Sequence, residues 1–377
     1  MIYKDKNKFE RDAILLIRRT QRGRKFIVNL GEGHPKFFKW LGNLGVIVGF
    51  AVSIYGMVFL IDIIIKILVT EVSIPGLAAV VPTTASTASI GPGYFAIPFW
   101  YWIIPIALLA IVHEGMHGIM FAREKLKIKS LGVGLLLVIP LAFVEPDEKE
   151  LVKKKTMQQM RIFAAGSFGN FMLAGAVFLI FSYGVTGLFT PVGVAPAGLI
   201  EGYPAADANL TGIITKMNGF EIHSRDELTA VLKNIGINEN VRIETITINE
   251  DGSRETHVYN IITVAPPPEH PDQDTGFIGV TFSTASDIML IKDEFGGFEG
   301  EIYFLSGLLQ FIILINLGVG IFNLLPIKPL DGGRMWELVF NRISPKRGAR
   351  ITRWMSYITL LIIILNFTLP FIKPLFM

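Results

Sequence analysis

The sequence predicts a multi-pass α-helical membrane protein that carries an inserted α+β domain, and three observations support this fold class. Hydrophobic residues make up 51% of the 377 residues and charged residues only 18%, whereas about 25% of an average soluble domain is charged. Five apolar stretches are long enough to cross a bilayer, and the basic and acidic residues are segregated along the chain. Together these features exclude an ordinary soluble protein.

Five stretches supply the roughly 20 apolar residues that a helix needs to cross a hydrocarbon core about 30 Å thick. The predicted spans are residues 43–68, 94–121, 162–189, 302–325 and 351–371. The fourth forms one segment with the residues that follow it as far as 340. In the first span, Asp62 and Lys66 lie four residues apart, and they either pair near the outer end of the helix or face the bundle interior.

The distribution of charge predicts the orientation of the spans. Lys and Arg are concentrated in three segments that we expect in the cytoplasm: residues 1–42 with eleven, 123–161 with nine and 328–353 with seven. The loop 72–93 holds none, and the segment 189–301 holds six against eighteen Asp and Glu, so we expect both outside. This alternation fits five spans with the N-terminus inside and the C-terminus outside. The basic N-terminal residues are expected to face lipid headgroups, and no nucleic-acid partner is predicted.

Three segments depart from the pattern of long apolar helices. Residues 190–300 are predicted to be an extracytoplasmic domain and linker, because short alternating strands and a helical stretch replace the apolar runs. The loop 72–93 is rich in Ser, Thr, Gly and Pro and is long enough to dip into the membrane. In the segment 123–161, residues 128–144 form an apolar run that Gly and Pro interrupt. We expect a hairpin there that enters the membrane from the cytoplasmic side.

The second span ends in the motif His113-Glu114-Gly115-Met116-His117. On a helix, His113 and His117 are four residues apart and point from the same face. That spacing suits two ligands of a tetrahedral zinc ion, and Glu114 can act as the base on a metal-bound water. The chain has no cysteine, so any metal must be held by His, Asp or Glu. Two satisfied interior histidines are the alternative interpretation.

A catalytic zinc needs a third protein ligand, and Asp331 is the best candidate. It follows the fourth span in the stretch NLLPIKPLDGG, which begins at Asn323. Pro326 and Pro329 are expected to break the helix, so that Asp331 can point inward. The charge distribution places Asp331 on the same membrane side as the two histidines. A cap at a helix end is the alternative role for this aspartate.

These motifs together resemble the site-2 protease family of intramembrane zinc proteases. The stretch AAGSFGNFMLA at 164–174 is similar to the Gly-x-x-x-Asn element of that family, and residues 128–144 are similar to its membrane re-entrant β-loop. The stretch GYPAADANL resembles the start of the family's PDZ domain, although Leu210-Thr211-Gly212 departs from the usual Gly-Asp, which counts against binding of a peptide tail there. The resemblance covers roughly residues 94–340, and it implies a three-helix catalytic core and a PDZ-like insert.

The resemblance also implies roles for individual residues. The implied ligands of one zinc ion per chain are His113, His117 and Asp331, with Glu114 as the general base. Asn323 is implied to bind the scissile peptide or its oxyanion, and Asn170 to contact substrate, whereas helix packing is the alternative for both. The expected protein is a zinc metalloendopeptidase of the cell membrane, whose substrate is a membrane-anchored regulatory protein. A non-catalytic scaffold and a metal transporter are the competing functions.

Overall fold

The computed structural model describes residues 10–12, 15–69, 79–83, 94–249, 253–267, 275–283 and 286–373. The chain divides into two compact units. Residues 182–302 form one unit, and the segments before and after them form the other. The predicted loop 72–93 lies outside the described residues, except for the strand at 79–83.

The described residues contain five helices that are long and apolar enough to cross a membrane, which confirms the multi-pass helical fold. These long helices are α2 (Pro35–Val69), α3 (Phe99–Arg123), α5 (Thr156–Ile180), α8 (Glu299–Leu324) and α10 (Gly348–Ile372). The shorter helices are α1 (Arg24–Gly33), α4 (Glu148–Leu151), α6 (Pro204–Asp207), α7 (Arg225–Leu232) and α9 (Asp331–Ile343). Helix α5 continues as a π-helical turn, Phe181–Val185, and a 3-10 turn, Thr186–Leu188.

In two of the predicted spans, part of the expected helix has a different structure. The second helix starts at Phe99 instead of residue 94, because Pro98 is extended and residues 94–98 form a strand. This strand, β4 (Tyr94–Pro98), pairs in parallel with β3 (Ala79–Thr83). The predicted segment 302–340 is two helices, since α8 ends at Leu324 and α9 begins at Asp331. The break falls at the predicted prolines.

A four-stranded antiparallel sheet lies beside α3. Its order is β1 (Glu10–Asp12), β2 (Leu15–Thr20), β5 (Ile128–Leu136) and β6 (Ile139–Pro146). Strands β5 and β6 form the hairpin predicted at 128–144. The N-terminal segment was predicted only as a basic cytoplasmic stretch, yet its strand β2 pairs with β5 along six residues. Strand β6 is therefore an edge strand of this sheet, because it pairs with β5 on one side and follows last in the order.

The unit of residues 182–302 has its own sheet and core. Its main sheet has the order β12 (Arg254–Ile262), β11 (Asn240–Ile248), β9 (Ile213–Met217), β7 (Phe189–Val194) and β14 (Asp287–Ile291), with β10 (Phe220–Glu221) paired to β9. A second small pair joins β8 (Gly198–Leu199) and β13 (Val280–Thr281). Ile214, Met217, Leu228 and Ile243 are fully buried between the sheet and the helices.

A buried charged cluster holds the C-terminal end of α3 against its neighbours. Glu124, whose side chain is fully buried, lies 3.1 Å from the guanidinium of Arg161 on α5 and also contacts Arg123. Gln158 donates a hydrogen bond of 2.7 Å to the other oxygen of Glu124. Arg161 in turn donates to the side chain of Asn43 on α2 at 2.7 Å. The cluster thus fixes α3 to both helices beside it.

Candidate metal centre

Helix α3 places His113 and His117 one turn apart on the face that packs against α5. Both residues are buried, and their Nε2 atoms lie 3.1 Å apart. Side chains four residues apart on a helix project from the same face, which brings the two rings together. The two rings pack edge to face, with their centres 4.7 Å apart and their planes at 77°.

Asp331 reaches the histidines because the chain reverses direction after α8. Gly332 permits this reversal, since a Cβ at that position would collide with the carbonyl oxygen of Leu324. Ser356 on α10 accepts a hydrogen bond of 3.1 Å from the backbone N–H of Lys328, which ties the connecting loop to the last helix. Oδ2 of Asp331 consequently lies 3.3 Å from Nε2 of each histidine.

The three atoms that face one another fit a tetrahedral zinc ion. They form a triangle with edges of 3.1, 3.3 and 3.3 Å, and ligands at about 2.0–2.1 Å from a tetrahedral zinc lie about 3.3 Å apart. His117 donates from Nδ1 to the carbonyl oxygen of Ile162 at 2.8 Å, so Nε2 of the neutral ring carries a lone pair. When Nε2 of His113 is also unprotonated, the centre is a cluster of three acceptors that a divalent cation would satisfy.

Helix α5 forms the wall behind both imidazoles. A Cβ added at Gly166 would lie 2.5 Å from Nε2 of His113 and closer still to Nε2 of His117, so any larger residue would displace the rings. Asn170 lies one turn further along α5, is fully buried, and has its Nδ2 3.1 Å from Nδ1 of His113. The structure thus brings Asn170 to a predicted metal ligand and not to the surface of the neighbouring cavity.

A cavity of about 730 Å³ opens in front of the three ligand atoms. Glu114 lines it, and its Oε2 accepts a hydrogen bond of 3.0 Å from the backbone N–H of Val144 in β6. Asn323, in the last turn of α8, lines the same cavity. Arg334 also lines it, with its guanidinium 5.5 Å from the ring centre of Phe163. The residues predicted as base and peptide contact therefore share one space with the ligand atoms.

The groups that hold these side chains in place cannot be recognised from residue type and spacing alone. The carbonyl of Ile162 and the N–H of Val144 belong to the backbone, which carries no signal of residue type. Arg334 had one available signal, because it follows Asp331 by three residues and so shares a helix face with it. Gly166 belongs to a motif whose glycine was given no role.

Known proteins are similar to this chain. A model of peptidase family M50 matches residues 101–366. An uncharacterized protein of Methanocaldococcus jannaschii is 27% identical over 346 residues, which cover 90% of this chain and 82% of that protein. A Clostridium acetobutylicum protein provisionally named a zinc metalloprotease is 21% identical over 65% of this chain and 87% of its own length. Zinc metalloprotease RasP of Shouchella clausii is 24% identical over 54% of this chain and 55% of its own length.

Proposed function

Because the chain belongs to peptidase family M50, the site-2 protease family of membrane zinc metalloproteases, we propose that it hydrolyses a peptide bond within or near the transmembrane segment of a membrane-anchored regulatory protein. One observation carries this proposal. Two histidines and an aspartate from distant parts of the chain converge within 3.3 Å of one another, at a cavity that Glu114 also lines.

We infer the chemistry of the metal from the three residues that would bind it. A zinc ion held by His113, His117 and Asp331 supplies Lewis acidity when bound, which polarises a peptide carbonyl and makes water acidic enough to react near neutral pH. Glu114 is the general base, which takes a proton from the attacking water and later gives it to the leaving amine. The hydrogen bond from Val144 holds this carboxylate at the cavity wall.

Asn323 has the position of a substrate contact. The residue lines the cavity together with the base, and an amide N–H there can donate to the oxyanion that forms as the carbonyl is attacked. Donors that are already placed where charge develops contribute most in a site from which water is excluded.

A substrate helix must be unwound before cleavage, because its amide groups are hydrogen-bonded within the helix. Strand β6 offers an edge with which the unwound segment can pair. The N–H of Val144 points away from β5, since it donates to Glu114. Every second residue of an antiparallel strand shares one edge, so Ala142 and Pro140 lie on the same outer edge. An extended substrate segment paired with this edge would lie next to Glu114.

A proline at Ala142 tests this pairing, because it removes an outward N–H and leaves the bonds to β5 intact. Loss of one hydrogen bond is expected to slow cleavage about three- to tenfold while zinc content stays the same. Ala142→Val, which keeps the N–H, is the matched control. Equal rates for the two variants would reject strand pairing.

The orientation follows from charge and is part of the proposal. With the basic segments inside, the metal centre lies toward the cytoplasmic ends of the helices, and residues 190–300 form a PDZ-like domain outside. Its acidic surface and position suggest a filter that keeps bulky substrate ectodomains away. Protease accessibility of 190–300 in sealed vesicles of known orientation tests this placement.

The decisive experiment compares the parent chain with Glu114→Gln, using the purified protein and a model single-span substrate. The variant is expected to keep one zinc ion per chain and to lose about 10²–10⁴-fold in cleavage rate. Glu148→Gln, another carboxylate at the same cavity, is the matched control and should cleave normally. A chain without stoichiometric zinc would overturn the whole proposal, and unchanged cleavage by Glu114→Gln would remove the base assignment. Zinc flux through the protein in liposomes would instead indicate a transporter.

A further inference from the structure

Helix α5 presents three different features to the imidazoles, spaced one turn apart along a single stripe. They are the carbonyl of Ile162, the bare backbone of Gly166 and the amide of Asn170, at positions i, i+4 and i+8. His117 bonds the first and His113 the last, and the Nε2 atoms of both rings lie against the second. Each of the three positions on α5 therefore contacts one or both of the imidazole rings.

The amide of Asn170 decides which nitrogen of His113 can bind metal. Oδ1 of Asn170 is buried and has no hydrogen-bond partner among the described residues, while Nδ2 faces Nδ1 of the ring. Turning the amide by half a rotation gives Oδ1 an N–H to accept and places the ring proton on Nδ1. Nε2 is then free of a proton and faces the other two ligand atoms. A metal-bound histidine usually has such an acceptor at its other nitrogen.

The burial of Asn170 argues against direct contact with a substrate. The residue is fully buried behind His113, and it is absent from the lining of the cavity that holds Glu114 and Asn323. His113 itself lines that cavity, so a peptide bound there would meet the ring and not Asn170. The role of Asn170 must therefore act through His113.

We propose that Gly166 and Asn170 are positioning residues, which hold the two imidazoles in the orientation and the tautomer that zinc requires. This inference rests on the proposed metal centre and replaces the substrate contact that the family resemblance implied for Asn170. Gly166 supplies the space in which the rings approach α5, and Asn170 supplies the acceptor that keeps Nε2 of His113 unprotonated.

The affinity for zinc tests the role of Asn170 without reference to cleavage. Asn170→Leu keeps the volume but removes the acceptor, and we expect the zinc Kd of the full-length protein to rise about 10–100-fold. Asn170→Asp keeps an acceptor for Nδ1–H and should bind zinc within about threefold of the parent. Competition with a chromogenic chelator measures both, and the visible absorption of the cobalt-substituted protein reports the ligand geometry. Asn170→Ala serves the same comparison if the leucine variant does not fold.

Gly166→Ala tests the space behind the rings, and Gly175→Ala on the same helix is the control. A Cβ at Gly175 meets no atom within 4 Å, so that variant should keep the parental zinc Kd and cobalt spectrum. The alanine at 166 should displace the rings and raise the zinc Kd at least as much as Asn170→Leu does.

The outcomes separate this inference from the proposed function. If the parent binds no zinc, the metal centre itself is wrong. If the parent binds zinc and cleaves its substrate, while Asn170→Leu keeps the parental zinc Kd and cobalt spectrum but raises KM, then Asn170 is a substrate contact and the positioning role is overturned.

Discussion

Helix α3 takes part in two buried polar clusters that differ in what their atoms require. Around Glu124, each carboxylate oxygen faces a donor, from Arg161 at 3.1 Å and from Gln158 at 2.7 Å. Around His113 and His117, the atoms that face one another are two ring nitrogens and a carboxylate oxygen within 3.3 Å, and all three are acceptors when both Nε2 atoms are unprotonated. Both clusters are largely buried, but the Glu124 carboxylate has its donors within the protein, whereas the ligand atoms face a cavity.

The difference separates a structural cluster from a functional one. Buried polar groups are normally paired, and an unpaired one is costly. A cluster whose donors and acceptors match, such as that of Glu124, stabilises the fold and needs no ligand. A cluster made of acceptors alone needs a cation, and the chemistry of two imidazoles and a carboxylate favours zinc.

Asp331→Asn should have the largest effect on the metal centre, while the Glu124 cluster stays unchanged. The substitution keeps the shape of the side chain but removes the charge that the cation neutralises. We expect zinc content to fall from one ion per chain to nearly none after dialysis, and cleavage to fall to background. Metal analysis of the purified variant measures the first. Retention of stoichiometric zinc at the parental Kd would show that Asp331 is not a ligand.

Glu124→Ala should have the opposite profile, with a large effect on stability and little effect on zinc. It leaves Arg161 without its buried partner, which costs about 3–5 kcal/mol of unfolding free energy. Glu124 lies about 10 Å along the helix from His117, so the zinc Kd of folded protein should change less than about threefold.

Thermal unfolding in detergent measures the loss caused by Glu124→Ala. The double replacement Glu124→Leu with Arg161→Met is the control and should recover most of the stability, because no buried charge is left unpaired. If instead Glu124→Ala lost zinc in its folded fraction, the two clusters would be one functional unit.

Asp62→Asn should have the smallest effect, because its pair with Lys66 is exposed. The two side chains lie 2.7 Å apart with about half or more of their surface exposed, and such i, i+4 pairs contribute about 0.2–0.5 kcal/mol. We expect no measurable change in zinc Kd or cleavage rate. A loss of either would indicate a polar path through the helices, as a transporter requires.

The parts of the structure that depend on residue type and spacing could be predicted from the sequence. The five apolar runs, the interrupted run at 128–144 and the HEGMH spacing each carry a local signal. The proline break before Asp331 belongs to the same class, since proline ends a helix for local reasons.

Features that depend on distant partners could not be predicted. Arg161 was counted among nine basic residues that set the membrane topology, yet it is buried against Glu124 and Asn43. For Asn170 the family resemblance implies a substrate contact, whereas its burial behind His113 supports the positioning role proposed above. The outer edge of β6 is defined by hydrogen bonds between backbone groups. Such bonds do not require particular side chains, so the sequence does not reveal them.

The pairing of β2 with β5 has a consequence for the order in which the chain is assembled. Thr20 lies opposite Leu131, and helices α2 and α3 separate them along the chain. Strand β2 therefore leaves the ribosome long before β5 exists, and the edge of β2 that later pairs with β5 stays unpaired while two helices enter the bilayer. The sheet closes only after those insertions, so a nascent chain that stalls before β5 leaves a hydrogen-bonding edge of β2 exposed.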